Sequence, residues 1–310
     1  MTVGELARDE FLARLEHPGI SLDTGPFLIR IKTAIGELAD EVRFLYGEFP
    51  VLPDGGITHF RLELRRPAGL RRWWRPQVFS LFDGERRFEP MPLALAIPTL
   101  EWSLNWCVAA NAHHHVMVHS AVLERDGRAL LLPGTPGAGK STLCAALAHR
   151  GWRLLSDEFA LLRPADSQLV SWPRPISLKG PSIDLIRAFA PDARLGRTIP
   201  GTPKGPVAHL RPPSASVQRA RDRAEPAWVV FPTYRAGEPA RLTPLSRARA
   251  FYRLAQFSFN YELLGPPGFE TLSRAIDGCD TYDFTYSKLD DALPLFQALV
   301  APSSRRVAGS

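Results

Sequence analysis

Apolar and polar positions alternate through much of the first third of the chain. Phe27, Ile29 and Ile31 fall on one side of a period-two pattern, and Phe60, Leu62 and Leu64 repeat it around Arg61 and Glu63. This spacing predicts half-buried strands at 27–31 and 60–64. Residues 78–82 and the pair Arg87-Phe88 flank Asp83-Gly84, a dipeptide that suits a tight hairpin turn. Before them, residues 1–15 mix acidic and apolar positions as a short amphipathic helix does. After them, residues 93–112 carry Leu95, Leu100, Trp102, Leu104, Trp106 and Val108, which predicts a mostly buried helix.

From Val116 the pattern changes. The runs 116–123 and 128–132 are strand-like and meet through Glu124, Arg125, Asp126 and Gly127, predicting an antiparallel hairpin. A glycine-rich turn follows, then apolar positions three and four apart over 142–148, a helix that Gly151 would end. Residues 152–155 predict a strand running into Ser156-Asp157-Glu158. Residues 164–226 are rich in proline, arginine and serine and predict a mostly irregular segment with a helix at 182–189. Order returns with a strand at 228–231, helices near 247–257 and 269–276, a strand at 281–286 and a last helix from Asp290. A frayed tail is expected at the end.

Composition narrows the class. The 310 residues are 45% hydrophobic and 23% charged, as in an ordinary globular protein. The longest apolar candidate, 91–100, is short and broken by Pro92 and Pro98, so no membrane span is expected. Cys107, Cys144 and Cys279 form no C-x-x-C pair, and the N-terminus lacks a signal-peptide core, which together suggest a cytoplasmic protein. The net charge of +6 does not call for a nucleic-acid partner. Of 38 basic residues only five are lysine, so each of Lys32, Lys140, Lys179, Lys204 and Lys288 is informative.

Gly134-Thr135-Pro136-Gly137-Ala138-Gly139-Lys140-Ser141-Thr142 contains the full G-x-x-x-x-G-K-S pattern of a phosphate-binding loop, set between a predicted strand and a predicted helix. Glycines let successive amide N–H groups turn inward around a phosphate. The lysine supplies a positive charge for the β- and γ-oxygens, and Ser141 offers a hydroxyl to Mg²⁺. A ligand-free strand-to-helix turn is the plainer alternative. Asp157 and Glu158 follow the next strand, where one carboxylate can anchor the metal and the other accept a proton from an attacking hydroxyl. The plainer alternative for that pair is a helix N-cap with an acidic first turn. The cluster Arg65-Arg66 with Arg71-Arg72-Trp73-Trp74-Arg75 could meet an anion or simply cover packed tryptophans. His113-His114-His115 lacks metal-ligand spacing. No D-x-x-G follows the loop, and Ser287-Lys288-Leu289-Asp290 lacks the asparagine of N-K-x-D, so the chain is not read as a switch GTPase.

The run from His119 to Glu158, H-S-A-V-L-E-R-D-G-R-A-L-L-L-P-G-T-P-G-A-G-K-S-T-L-C-A-A-L-A-H-R-G-W-R-L-L-S-D-E, resembles the core of HPr kinase/phosphorylase, and most of all the proteins called HprK-related kinase A. The resemblance implies an α/β P-loop kinase domain of the HPr kinase and phosphoenolpyruvate carboxykinase type at 113–302. Ahead of it would stand a smaller β-rich α+β domain at 1–112, and behind it a flexible tail at 303–310. It implies ATP and Mg²⁺ as cofactors and transfer of phosphate to a hydroxyl, foremost a serine of a protein or peptide. Asp157 would activate that hydroxyl, His119 would be an active-site histidine, and Glu158 with Ser141 would face the metal. The second acid here is Glu where the family has Asp, and no E-x-R-G signature follows, so the reverse reaction is not implied. A homo-oligomer is compatible with the resemblance. A small-metabolite kinase and a nucleotide-binding scaffold without catalysis are the competing readings. Lys179, Lys204 and Arg211 are candidate γ-phosphate or acceptor contacts, carried on a 164–226 segment expected to be weakly ordered until it closes over the phosphates.

Overall fold

The computed structural model describes residues 1–69 and 74–300. The basic cluster at 71–73 and the tail after residue 300 lie outside the described residues. The alternating first third builds a twisted sheet in which Ile20–Asp23, Leu28–Thr33, Phe60–Arg65, Gln77–Phe82 and Glu85–Arg86 lie side by side in that order. Leu28–Thr33 and Phe60–Arg65 run parallel, and the other neighbours are antiparallel. Asp83 and Gly84 have φ of 47° and 84°, the left-handed pair that a two-residue hairpin requires. That turn sets Glu85 opposite Phe82 and Arg86 opposite Leu81, so the return strand is 85–86 and not the expected 87–88.

One face of this sheet packs on helix Ala96–Asn111, which buries Leu100, Leu104, Cys107 and Val108. Pro98 does not break it, because a proline in the first turn removes an N–H that has no intrahelical partner. With the preceding short 3-10 turn, Leu93–Asn111 is long and apolar enough to cross a membrane by length and composition, and 61% of it is buried within the fold. The expectation that the longest apolar run stops near residue 100 is therefore corrected. Helix Gly36–Leu45, unforeseen in the sequence, adds Leu38, Ala39, Val42 and Leu45 to the same core.

The second sheet runs in the order Leu169–Val170, Phe159–Leu162, Val116–Arg125, Arg128–Pro133, Glu225–Tyr234, Asp280–Tyr286 and Arg241–Pro244. Arg128–Pro133, Glu225–Tyr234 and Asp280–Tyr286 are mutually parallel, which makes this a mixed α/β architecture. Helix Lys140–Ala148 covers one face, with Leu143, Ala146 and Leu147 buried. Helices Arg247–Gln256 and Pro266–Asp277 cover the other through Ala250, Leu254, Leu272 and Ile276.

Residues 164–226 are not the weakly ordered arm expected from their composition. Ile176–Lys179, Gly205–Leu210 and Ile199–Thr202 pair as a three-stranded antiparallel sheet. Ile176, Leu178, Ala208 and Leu210 face inward and share a core with helix Lys140–Ala148. Short strands need only two apolar residues each to cover a helix, so prolines and arginines between them dilute the signal without removing the core.

The two halves are fastened together. The core of the first 112 residues continues through Met117, Phe159, Leu161, Trp172 and Val217. Trp172 donates its indole N–H to the Thr24 hydroxyl at 3.0 Å. Glu101, buried on helix Ala96–Asn111, accepts from the Tyr46 hydroxyl at 2.6 Å and from Arg174 at 3.1 Å. The Arg174 guanidinium also lies 4.0 Å over the Trp172 ring and donates to the Asn105 side chain. Removing one member of a buried ion pair strands the other charge, at about 3–5 kcal/mol. Arg174→Ala should therefore lower the unfolding free energy by that amount, read as a lower urea midpoint with the slope unchanged. A shift of less than about 0.5 kcal/mol would show that the pair carries no such burden.

Candidate functional site

The glycine-rich loop joins the buried end of Arg128–Pro133 to the first turn of Lys140–Ala148. Gly137 and Gly139 have φ of 87° and 90°, a conformation open to glycine at little cost. At Gly139 the constraint is also spatial, since a Cβ there would sit 2.0 Å from the Tyr286 hydroxyl oxygen. That hydroxyl donates to the Gly139 carbonyl at 3.2 Å, so Tyr286 buttresses the loop. Lys140 is 7% exposed, and its ammonium donates to the carbonyls of Gly134 at 2.6 Å and Thr135 at 3.2 Å. Burial lowers its pKa, Asp157 and Glu158 pull it back up, and Lys179 and Lys204 oppose them. A buried cation folded back on two carbonyls is a charge held ready for an anion.

The acidic pair arises from an interrupted strand. Arg153–Ser156 and Phe159–Leu162 both pair antiparallel with Val116–Arg125, leaving Asp157 and Glu158 in the break. They follow the end of Arg153–Ser156, which runs in the same direction as Arg128–Pro133, and the Ser120 amide, opposite Pro133, donates to the Glu158 carbonyl. They therefore lie past a strand end at the edge where the glycine loop begins, with a one-residue register shift against Val122 and Leu123 just before them. A one-residue shift reverses which face each following side chain takes, and this turns Asp157 inward. The Ser156 hydroxyl holds the break by accepting from the Glu158 and Phe159 amides.

Asp157 is buried. One carboxylate oxygen accepts from the Ser177 amide at 3.2 Å, and the other, Oδ1, has no hydrogen-bond partner. Burial and then the Glu158 charge push its pKa up to about 7, against the opposing pull of Lys179, the Ser177 amide and the Ser141 hydroxyl. Glu158 lies 3.7 Å from His119 Nδ1. The His119 pKa is lowered, first by burial and then by Lys140, with Glu158 acting the other way.

These groups face one cavity of about 910 Å³. His119, Lys140, Ser141, Asp157, Glu158, Lys179 and Lys204 all line it, with Pro136, Gly137, Gly139 and Thr142. Gly134, Thr135 and Ala138 belong to the loop but do not line the cavity, and the first two present their carbonyls to Lys140. Lys179 ends the strand Ile176–Lys179, and Lys204 sits in the turn between Ile199–Thr202 and Gly205–Leu210. Arg211 is the exception. It pairs with Glu48 of the first half, where its guanidinium packs against Gly47, and it does not line the cavity. The expectation of a phosphate contact from Arg211 is therefore corrected: a nearby carboxylate takes its charge.

Several lining residues escaped the sequence reading, among them Ser177, Ser182, Tyr234, Tyr286 and Ser287. A signal existed for the tyrosines. Glu225–Tyr234 and Asp280–Tyr286 both finish in Thr-Tyr, and their parallel register sets Tyr234 opposite Tyr286 at the carboxyl ends, where α/β sheets collect ligands. Their rings meet edge-on at 5.8 Å.

Among the described residues no three His, Cys, Asp or Glu side chains cluster as a self-sufficient metal site. The donors at hand are the Ser141 hydroxyl and the Glu158 carboxylate, both hard oxygens, which fit Mg²⁺ held jointly with phosphate oxygens. Asp157 lines the same cavity with its Oδ1 unpartnered, and a buried acceptor with no donor is costly unless a ligand meets it.

No protein-family model matches the chain. No curated protein matches it either. Among solved structures, the chain is similar to the Hpr(Ser) kinase/phosphatase from Coxiella burnetii, at 18% identity over 59% of this chain and 93% of that one, with a TM-score of 0.27. At that score the likeness supports no inference about this chain.

Proposed function

We propose that the chain is an ATP-dependent kinase that transfers the γ-phosphate to a hydroxyl, foremost a serine of a peptide or protein. In this reading residues 113–302 form a kinase unit of the HPr kinase type and residues 1–112 a separate N-terminal unit. The observation that carries it is Asp157: a buried carboxylate with a free oxygen, a pKa near neutrality, and a place in the same cavity as Lys140 and the glycine loop. A general base works best when its pKa lies near the operating pH.

The chemistry follows from these groups. The loop amides and Lys140 hold the β- and γ-phosphates, and Lys179 and Lys204 offset further negative charge. Mg²⁺, held by Ser141 and Glu158, would neutralise phosphate charge. Asp157 Oδ1 takes the proton of the acceptor hydroxyl as its oxygen bonds to the γ-phosphorus. The bond from that phosphorus to the β–γ bridging oxygen breaks, and its electron pair leaves with ADP. His119, beside Glu158, holds the orientation of the second acid.

Calorimetric titration of the full chain with Mg-ATP, followed by ATP consumption with serine peptides and small hydroxyl compounds, tests the reading. Saturable binding and acceptor-dependent ADP release are expected. Absence of binding would overturn it, and binding without consumption by any acceptor would identify a nucleotide-binding scaffold instead.

A further inference from the structure

A second cavity, of about 540 Å³ and open to solvent, adjoins the first and shares His119, Pro136 and Glu158 with it. One of its walls comes from the first 112 residues: Asn105, Trp106 and Ala109, on helix Ala96–Asn111. The facing wall is the segment from Gln256 to Phe259, which is bound to the sheet by backbone bonds from His119 to Phe257 and from Phe259 to Met117. We infer that this cavity is the acceptor site, and that it selects a peptide serine flanked by an aromatic or long aliphatic residue. The inference rests on the kinase reading above.

Four observations carry it. First, in-line transfer requires the acceptor oxygen to approach the γ-phosphorus from the side opposite the departing ADP. Pro136 of the loop, His119 and Glu158 line both cavities, so an acceptor in the smaller one lies next to phosphates held in the larger. Second, the walls are largely apolar, and apart from the shared His119 and Glu158 the polar groups among them (Asn105, Gln256 and Ser258) are uncharged. Among the described residues no lysine or arginine lines the cavity, so they offer nothing there to a sugar phosphate or an acidic metabolite. Third, Phe259 is 50% exposed at the mouth, edge-on to His119 at 6.0 Å, where an apolar neighbour of the acceptor serine would cover it. Fourth, the walls are held in place before any ligand arrives. Arg174 donates to Asn105, and Trp106 meets Phe82 at 5.5 Å and Phe88 at 5.6 Å. Preformed walls lower the ordering cost of binding an extended chain. The N-terminal unit thereby gains a role as half of the acceptor site.

The test uses fluorescently labelled hexapeptides with one central serine flanked by phenylalanine and leucine, by aspartates, or by lysines. Anisotropy without nucleotide reads acceptor binding by itself, and phosphorylation with Mg-ATP reads turnover. The apolar peptide should bind at least about tenfold more tightly than either charged one, as expected for burying one large side chain. Ala109→Arg and Phe259→Asp should remove that preference and raise the peptide KM at least about tenfold, while the Kd for Mg-ATP stays within about twofold. Phe259→Leu should restore it. Equal binding of all three peptides, an unaltered peptide KM in both variants, or phosphorylation of small hydroxyl compounds alone would overturn the inference. Selective peptide binding by a chain that neither binds nor consumes ATP would overturn the kinase reading and leave the groove standing.

Discussion

Replacing Asp157 with asparagine is expected to lower phosphoryl transfer by about two to four orders of magnitude, with Mg-ATP affinity changed by less than about threefold. Asparagine keeps the shape of the side chain and an oxygen to accept from the Ser177 amide, now at 3.2 Å. It loses the capacity to take a proton at Oδ1, the oxygen that has no other partner. The pH profile separates this role from a structural one. Burial, and then the charge of Glu158, raises the Asp157 pKa to about 7. The base acts only when ionised, so kcat/KM should rise with pH up to about 7 and fall roughly tenfold per unit below it. His119 and Lys140 face the same cavity, and burial lowers the pKa of each. Rate profiles of both proteins check this. Near-normal turnover in the variant, or a wild-type profile flat from about pH 5.5 to 8, would remove Asp157 from the chemistry.

The second large effect belongs to Lys140. Lys140→Ala should weaken Mg-ATP binding by about one to two orders of magnitude, because a charge-assisted hydrogen bond contributes about 1.5–3 kcal/mol. Transfer should fall further, by about three orders or more, since the ammonium also faces charge that develops on the γ-phosphate. The fold should survive. Lys140 sits at the first position of its helix, alanine suits that position, and the freed carbonyls of Gly134 and Thr135 can be met by water in the cavity. Calorimetry, turnover and a melting curve on one preparation distinguish the outcomes. Unchanged affinity with unchanged turnover would mean that the loop holds no phosphate.

The loop was the most legible feature of the chain. Glycine and lysine at fixed spacing report a backbone conformation directly, and the apolar run before it and the three-four spacing after it give strand and helix without tertiary information. Lys179 and Lys204 were legible as candidates because lysine is rare in this chain, although their sequence distance from the loop says nothing of position. Arg211 shared their charge and their segment, and only the fold shows that Glu48 claims it.

The prolines, arginines and serines of 164–226 misled for a related reason. Composition averages over the segment, whereas a three-stranded sheet needs only Ile176, Leu178, Ala208 and Leu210 at alternating positions, facing a helix contributed from elsewhere. The tyrosines beside the loop were hidden differently. Nothing local relates Tyr286 to Gly139, because contact depends on three parallel strands finishing at one edge.

By itself the sequence determined the elements whose signals are local: the alternating strands, the Asp83-Gly84 turn, the hairpin into the glycine loop and the helix after it. Backbone sterics and periodicity act over a few residues, so they can be read from a few residues. The tertiary structure alone decided which charges share a cavity, that Asp157 is buried with one oxygen unmet, and that the two halves meet through Glu101 and Arg174. A pKa, an unpartnered atom and an ion pair are properties of surroundings, and those surroundings are assembled from residues far apart along the chain.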